Sequence, residues 1–293
     1  MQPNQISQTA AFIAIKFYGL TQTDPYRSWF DEKIIRFYDR LVQFLPKPLH
    51  LYHSVLKKKW IRRFFLFSEE LLLPGDLMHI IMRKYFIGQQ VDQLLDSGYE
   101  QLLVLGAGFD HLAMLHSQKG TCSFEIDAPG MASLKEQFIK QHGMQNANLH
   151  LLSHHVSEGN NKINLELIPP LDPNRKTVIV AEGFFDYLYP EQSKKILEDL
   201  VTFFNNKATL ISTIFALDEL SVVRRSVFKA GVTMVGEKIR LGWSKEEYES
   251  TLDSVGFGNT RMLNASTMRQ KLLVPADISM PVLDGFYLVS SKV

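Results

Sequence analysis

Two kinds of hydrophobic pattern alternate along this chain. Some runs are apolar at every position, and others place apolar residues every three or four positions. Leu102 to Leu105 (LLVL) and Thr177 to Ala181 (TVIVA) belong to the first kind, the signature of strands buried on both faces of a parallel sheet. Leu149 to Leu152, Ala208 to Ile214 and a segment ending at Asp127 read as further strands, giving a parallel core of five. Between them, Leu112, Ala113 and Leu115 give one helix its apolar face, and Leu134 to Ile139 has helical spacing. Pro190 opens a helix through Val201 that carries Ile196, Leu197 and Leu200 on one side. Trp243 to Val255 reads as a helix capped by Ser244, with Glu247 completing a capping box and Gly256 ending it. Two late strands, near Asn259 to Leu263 and Phe286 to Ser290, have no long helix between them and are expected to pair antiparallel. The pattern is that of an α/β protein.

The junction after the first strand carries the chemistry. Gly106 and Gly108 follow Leu105 without a spacer, so a ligand can approach the backbone there. Asp110 stands where a helix N-cap belongs, and Asp127 lies about twenty residues downstream of the turn, the usual distance to an acid that binds ribose hydroxyls. Dinucleotide-binding folds place a third glycine where this chain has His111, next to Asp110, so a pyrophosphate would meet a carboxylate. A cofactor with a ribose but no phosphates fits better, and S-adenosylmethionine is such a cofactor; a nicotinamide dehydrogenase fits worse. The alternative is a tight turn in a parallel sheet that binds nothing.

Composition narrows the setting. The 293 residues, 45% hydrophobic, suit one large α/β unit or two smaller ones, and a net charge of +1 supplies no global attraction for nucleic acid or an anionic membrane. The single cysteine, Cys122, excludes a disulfide framework and reads as a small buried hydrophobe. The chain shows no spaced Cys/His cluster, so no metal is expected. Without an apolar run of membrane-spanning length or a basic leader, a cytoplasmic protein is expected.

One stretch departs from the rest. In Pro46 to Phe67, the cations Lys57, Lys58, Lys59, Arg62 and Arg63 are interleaved with Val55, Leu56, Trp60, Ile61, Phe64 and Phe65. Three readings compete: a lid over a substrate pocket, a helix lying on a membrane surface, and a core helix with a solvated basic face. The near-zero net charge favours the last.

From about residue 80 onward the chain resembles the leucine carboxyl methyltransferases and their bacterial relatives. The likeness rests on RKYFIGQQVDQLL (83 to 95) leading into LLVLGAGFD, on FEIDAPG (124 to 130) and on VAEGFFDYLYPEQ (180 to 192); QTAAFIAIKF (8 to 17) with DPY (24 to 26) adds a weaker N-terminal match. The resemblance implies a class I methyltransferase Rossmann-like seven-stranded sheet with its last strand antiparallel, covered by a helical N-terminal cap. On this basis residues 1 to 98 are expected to form the cap and 99 to 293 the S-adenosylmethionine-binding core.

The resemblance also assigns roles. Arg83 matches the family arginine that pairs with the cofactor's carboxylate. Gly106, Gly108, Asp110 and Asp127 group with the cofactor. Glu182, at a strand's carboxyl end, is placed to meet the cofactor's ammonium or to line the substrate pocket, and Tyr187 to wall the site. Where the family has an acid that holds the adenine, this chain has Ser153, His154 and His155. Asp76, His79 and Arg83 share one helical face, so His79 is either a base for a hydroxyl acceptor or a structural histidine. The expected activity is O-methyl transfer to a carboxylate, or to a hydroxyl, of a small molecule or peptide terminus. A methyltransferase fold kept for binding alone is the rival.

Overall fold

A computed structural model describes residues 7–154, 156, 162–222, 225–226 and 243–293. Five helices precede the first strand: α1 (Gln8–Leu20), α2 (Glu32–Phe44), α3 (Leu51–Lys57), α4 (Lys59–Leu72) and α5 (Asp76–Asp96). There follow β1 (Gln101–Leu105), α6 (Leu112–Ser117), β2 (Cys122–Asp127), α7 (Pro129–Gln141), β3 (Leu149–Ser153), β4 (Thr177–Ala181), α8 (Pro190–Phe204) and β5 (Ala208–Phe215). The described chain closes with α9 (Lys245–Val255), β6 (Gly258–Asn264), α10 (Ala265–Leu272) and β7 (Phe286–Lys292).

The seven strands form one sheet in the order β3-β2-β1-β4-β5-β7-β6. The first five are mutually parallel, and β7 runs antiparallel to both β5 and β6. The uniformly apolar strands lie where their sequences require: every residue of β1 and β4 is buried. Strand order reverses between β1 and β4, so the connections leaving their carboxyl ends part and leave a crevice there.

Helices cover both faces. On one face α5, α6, α7 and α10 join the N-terminal helices in a single apolar cluster that reaches from Ala14, Phe17 and Leu41 to Leu102, Val104 and Val178 of the sheet. On the other, α8 and α9 pack through Ile196, Leu197, Leu200, Tyr248 and Leu252. Ser244 and Glu247 form the capping box, and Gly256 ends α9 with φ 106°. Trp243 precedes that helix and is buried beside Tyr248.

The basic stretch departs from the single core helix its composition favours. It breaks at Lys58 into α3 and α4, and the apolar side of α4 faces outward, with Trp60 73%, Phe64 70% and Phe67 67% exposed. The inward side of α4 is made by Phe65 and Leu66, which pack against the core, and by Arg62, which donates to the Leu56 carbonyl at 2.8 Å and so caps the end of α3. Cys122 opens β2 as a half-buried free thiol whose pKa burial raises.

Candidate active site

The glycine turn sits at the mouth of the crevice. β1 ends at Leu105, and the chain turns with φ 61° at Gly106 and 50° at Gly108, a region that side-chain-bearing residues rarely enter. A Cβ at Gly106 would lie 2.7 Å from the Phe184 ring, which packs over the turn. Parallel pairing of β1 with β2 brings Asp127 alongside. Its carboxylate accepts from Gly108 N and from Ala128 N, both at 2.6 Å, and this fixes its orientation. Gly108, Asp127, Met131, Leu151 and Leu152 line a narrow cleft. Ser153 lies opposite Asp127 in the β2–β3 register. His154 N donates to the Asp127 carbonyl at 2.8 Å, and its buried Nε2 has no hydrogen-bond partner. His155 falls outside the described residues.

α5 delivers the charges. Lys84 Nζ lies 2.6 Å from Asp110 and 2.9 Å from Glu182, at the end of β4. Burial alone would lower this ammonium's pKa, but the two carboxylates outweigh it and the pKa is raised. Asp110, equally buried, is held well below the usual carboxylate range by Lys84 against the opposing effect of burial. Asp110 also accepts from Leu112 N at 2.7 Å. Its carboxylate thus ties Lys84 of α5 to the first amide of α6, whose N-cap position is taken by His111. Arg83 Nε lies 2.6 Å from Glu182 Oε1, yet the pair lacks hydrogen-bond alignment and neither atom has another hydrogen-bond partner.

His79 stands one turn before Arg83. An arginine can only donate, so the 3.1 Å contact from Arg83 Nη1 makes His79 Nε2 the acceptor and leaves the ring proton on Nδ1, which is buried without a partner. The ring packs edge-on against Phe286 and Phe215. Burial and the neighbouring guanidinium push its pKa down to about 3, so it stays neutral and is a weak base. Asp76 opposes that shift without overcoming it and is itself held at 2.8 Å by Lys16, which also pairs with Glu69. Tyr187 ends the 3-10 turn Phe185–Tyr187 and is half-buried.

The structure thus gathers Arg83, Glu182, Gly106, Gly108 and Asp127 at the carboxyl edge of β1, β2 and β4. It also brings in groups the sequence does not single out. Lys84 looks like any helix lysine until the fold buries it. Asp186 accepts from Phe215 N at 3.1 Å, and burial pushes its carboxyl up to about 7. In the wall of the cleft, buried Lys135 pairs with Glu125 at 2.7 Å and donates to the Asp110 carbonyl.

The leucine carboxyl methyltransferase family model matches residues 37–201, more than half of the chain. The protein belongs to the leucine carboxyl methyltransferase family. It is therefore an S-adenosylmethionine-dependent methyltransferase. Two solved structures share its fold. One is a candidate methyltransferase from Thermobifida fusca, with TM-score 0.57 and 15% identity, aligned over 88% of this chain and 93% of that one. The other is a DUF574 family protein from Streptomyces avermitilis, with TM-score 0.55 and 11% identity over 79% and 90%. No curated protein matches significantly in sequence.

For an S-adenosylmethionine-dependent methyltransferase, these atoms without hydrogen bonds form an intelligible set. Arg83 Nε and Glu182 Oε1, a cation and an anion such as an amino-acid zwitterion requires, lack hydrogen bonds, and so does His154 Nε2 next to Asp127. The residues present fit the cofactor. Among the described residues, no group of three or more His, Cys, Asp or Glu side chains is arranged to hold a metal ion. No described helix is long and apolar enough to cross a membrane.

Proposed function

We propose that this methyltransferase transfers its methyl group to an oxygen, and that the acceptor is a carboxylate of a small molecule or of a peptide terminus. The observation that carries this reading is the state of His79. A carboxylate is already ionised at neutral pH and needs no proton removed, which suits a site whose imidazole is too weak a base to remove one.

Bound S-adenosylmethionine supplies a methyl group on a positively charged sulfur, ready for in-line displacement. The protein's own task is alignment and exclusion of water. Asp127, fixed by the Gly108 and Ala128 amides, accepts from the ribose hydroxyls. Arg83 takes the amino-acid carboxylate as a planar donor fork, and Glu182 takes the ammonium. Lys84 holds Glu182 in place while it does so. Phe184 packs over Gly106 beside them.

A second reading has one observation of its own. Asp186, raised to about 7, is matched to accept a proton from a hydroxyl at neutral pH. Product chemistry separates the two. With labelled methyl donor, transfer to a carboxylate gives an ester that alkali cleaves to volatile methanol, whereas a hydroxyl acceptor gives an ether that survives. Alkali-stable product would refute the carboxylate reading. Calorimetric heat with S-adenosylhomocysteine but no transfer to either class of acceptor would favour a fold kept for binding alone.

A further inference from the structure

Along α4, Trp60, Phe64, Phe67 and Leu71 recur at i, i+4, i+7 and i+11, which stacks them in one stripe. The stripe is about 16 Å long at the rise of an α-helix. Each of these side chains is two-thirds or more exposed. Scattered exposed apolar residues are ordinary, but a continuous stripe of large ones marks a surface that is covered in use.

The charges around the stripe say what covers it. From Pro46 to Ser68 the chain has six lysines and arginines and no acid, so the rest of the chain carries a net negative charge. Lys57, Lys58, Lys59 and Arg63 are exposed beside the stripe, and only Lys57 has a described ion-pair partner, at 3.8 Å from Asp39. The two acids that follow are turned away: Glu69 pairs with Lys16 at 2.7 Å, and Glu70 accepts from Gly75 N at 2.7 Å. A second copy docked on this face would meet cations with no exposed acid from the same helix to answer them. An apolar stripe rimmed by uncompensated cations is complementary to a bilayer with anionic headgroups.

We infer that α4 is an interfacial helix by which this enzyme docks on anionic lipid bilayers, with Trp60, Phe64, Phe67 and Leu71 entering the headgroup boundary and Lys57, Lys58, Lys59 and Arg63 holding the lipid charges. The inference stands apart from the choice of acceptor. Its link to the site is short: Lys16 ties Glu69 on the inner side of α4 to Asp76 at the start of α5, the helix that carries His79 and Arg83.

The test is co-sedimentation of the full-length protein with phosphatidylcholine vesicles, with and without phosphatidylglycerol, at low and high salt. Binding is expected only to the phosphatidylglycerol vesicles and is expected to weaken with salt. The charge variant K58E/K59E/R63E and the apolar variant W60S/F64S should each weaken partitioning at least about tenfold. Brominated lipid should quench wild-type tryptophan emission and not that of W60F. S-adenosylhomocysteine calorimetry must be unchanged in every variant, which confirms folding and keeps this test separate from the reading of the site. The inference is overturned by the absence of vesicle binding, by equal binding to neutral vesicles, or by a lipid-independent dimer that the substitution Phe64→Glu dissociates.

Discussion

Arg83 and Glu182 face each other at 2.6 Å between Nε and Oε1 without forming a hydrogen bond, although both are nearly buried. Opposite charges in such contact attract, but the donor and acceptor directions remain unspent. An amino-acid zwitterion, bringing an anion for one and a cation for the other, satisfies both. In the function proposed above, the pair receives the amino-acid end of the cofactor.

The substitution Arg83→Lys tests that arrangement. It keeps the charge but loses the planar donor fork, and affinity for S-adenosylhomocysteine is expected to fall by about tenfold to a hundredfold, the worth of a charge-assisted hydrogen bond or two. Isothermal titration reads this directly. An unchanged dissociation constant would mean that Arg83 does not touch the cofactor.

Asp127→Asn removes the charge on the group held by Gly108 N. Two hydrogen bonds to a ribose through a carboxylate are together worth about 3 kcal/mol or more, so binding should weaken on the order of a hundredfold. A cofactor analogue lacking one ribose hydroxyl should lose affinity for the wild type and little more for the variant. Additive losses would place the ribose elsewhere.

Asp186→Asn separates the two acceptor classes by pH. The Asp186 carboxyl titrates near 7, so a reaction that needs it as a base rises through neutrality and is lost in the variant. Transfer to a carboxylate should instead show a flat rate between roughly pH 6 and 8 that the variant retains. A wild-type profile that steps up near 7, with activity abolished by the Asp186→Asn substitution, would favour the hydroxyl.

Acid stability follows from the buried histidines. His79 is pushed down to about 3 and His111 to about 4 from an ordinary 6.5, in both cases chiefly by burial. Each binds its proton more readily when the chain is unfolded. Their contribution to stability is therefore complete above pH 6.5 and is lost as pH falls toward 4 and then 3. Urea midpoints should drop across that window. His79→Gln, which cannot titrate, should flatten the slope, and an unaltered slope would show that His79 is not buried neutral.

Much of this fold is legible in the chain because it rests on local rules. Continuous apolar runs specify β1 and β4, Pro190 and Ser244 start helices, and Gly256 ends one, each through the backbone's own hydrogen-bonding needs. The glycine turn and the acid ending β2 are legible for the same reason, since spacing along a βαβ unit translates into proximity. The orientation of α4 is not. Its composition reads the same whichever aromatic residues face in, and the packing of Phe65 and Leu66 on the core, of Arg62 against the end of α3 and of Glu69 against Lys16 leaves Trp60, Phe64 and Phe67 outside.

Residue order alone was enough for the alternating strands and helices from β1 to β5, the glycine turn and the family, because these depend on neighbours in the chain. The state of each ionisable group came from the assembled fold. Lys84 becomes a buried cation shared by Asp110 and Glu182, His79 a neutral ring, and Asp186 a carboxyl near neutrality. Those outcomes depend on which charges and how much water surround a side chain, and that is set by segments brought together from up to about a hundred residues away.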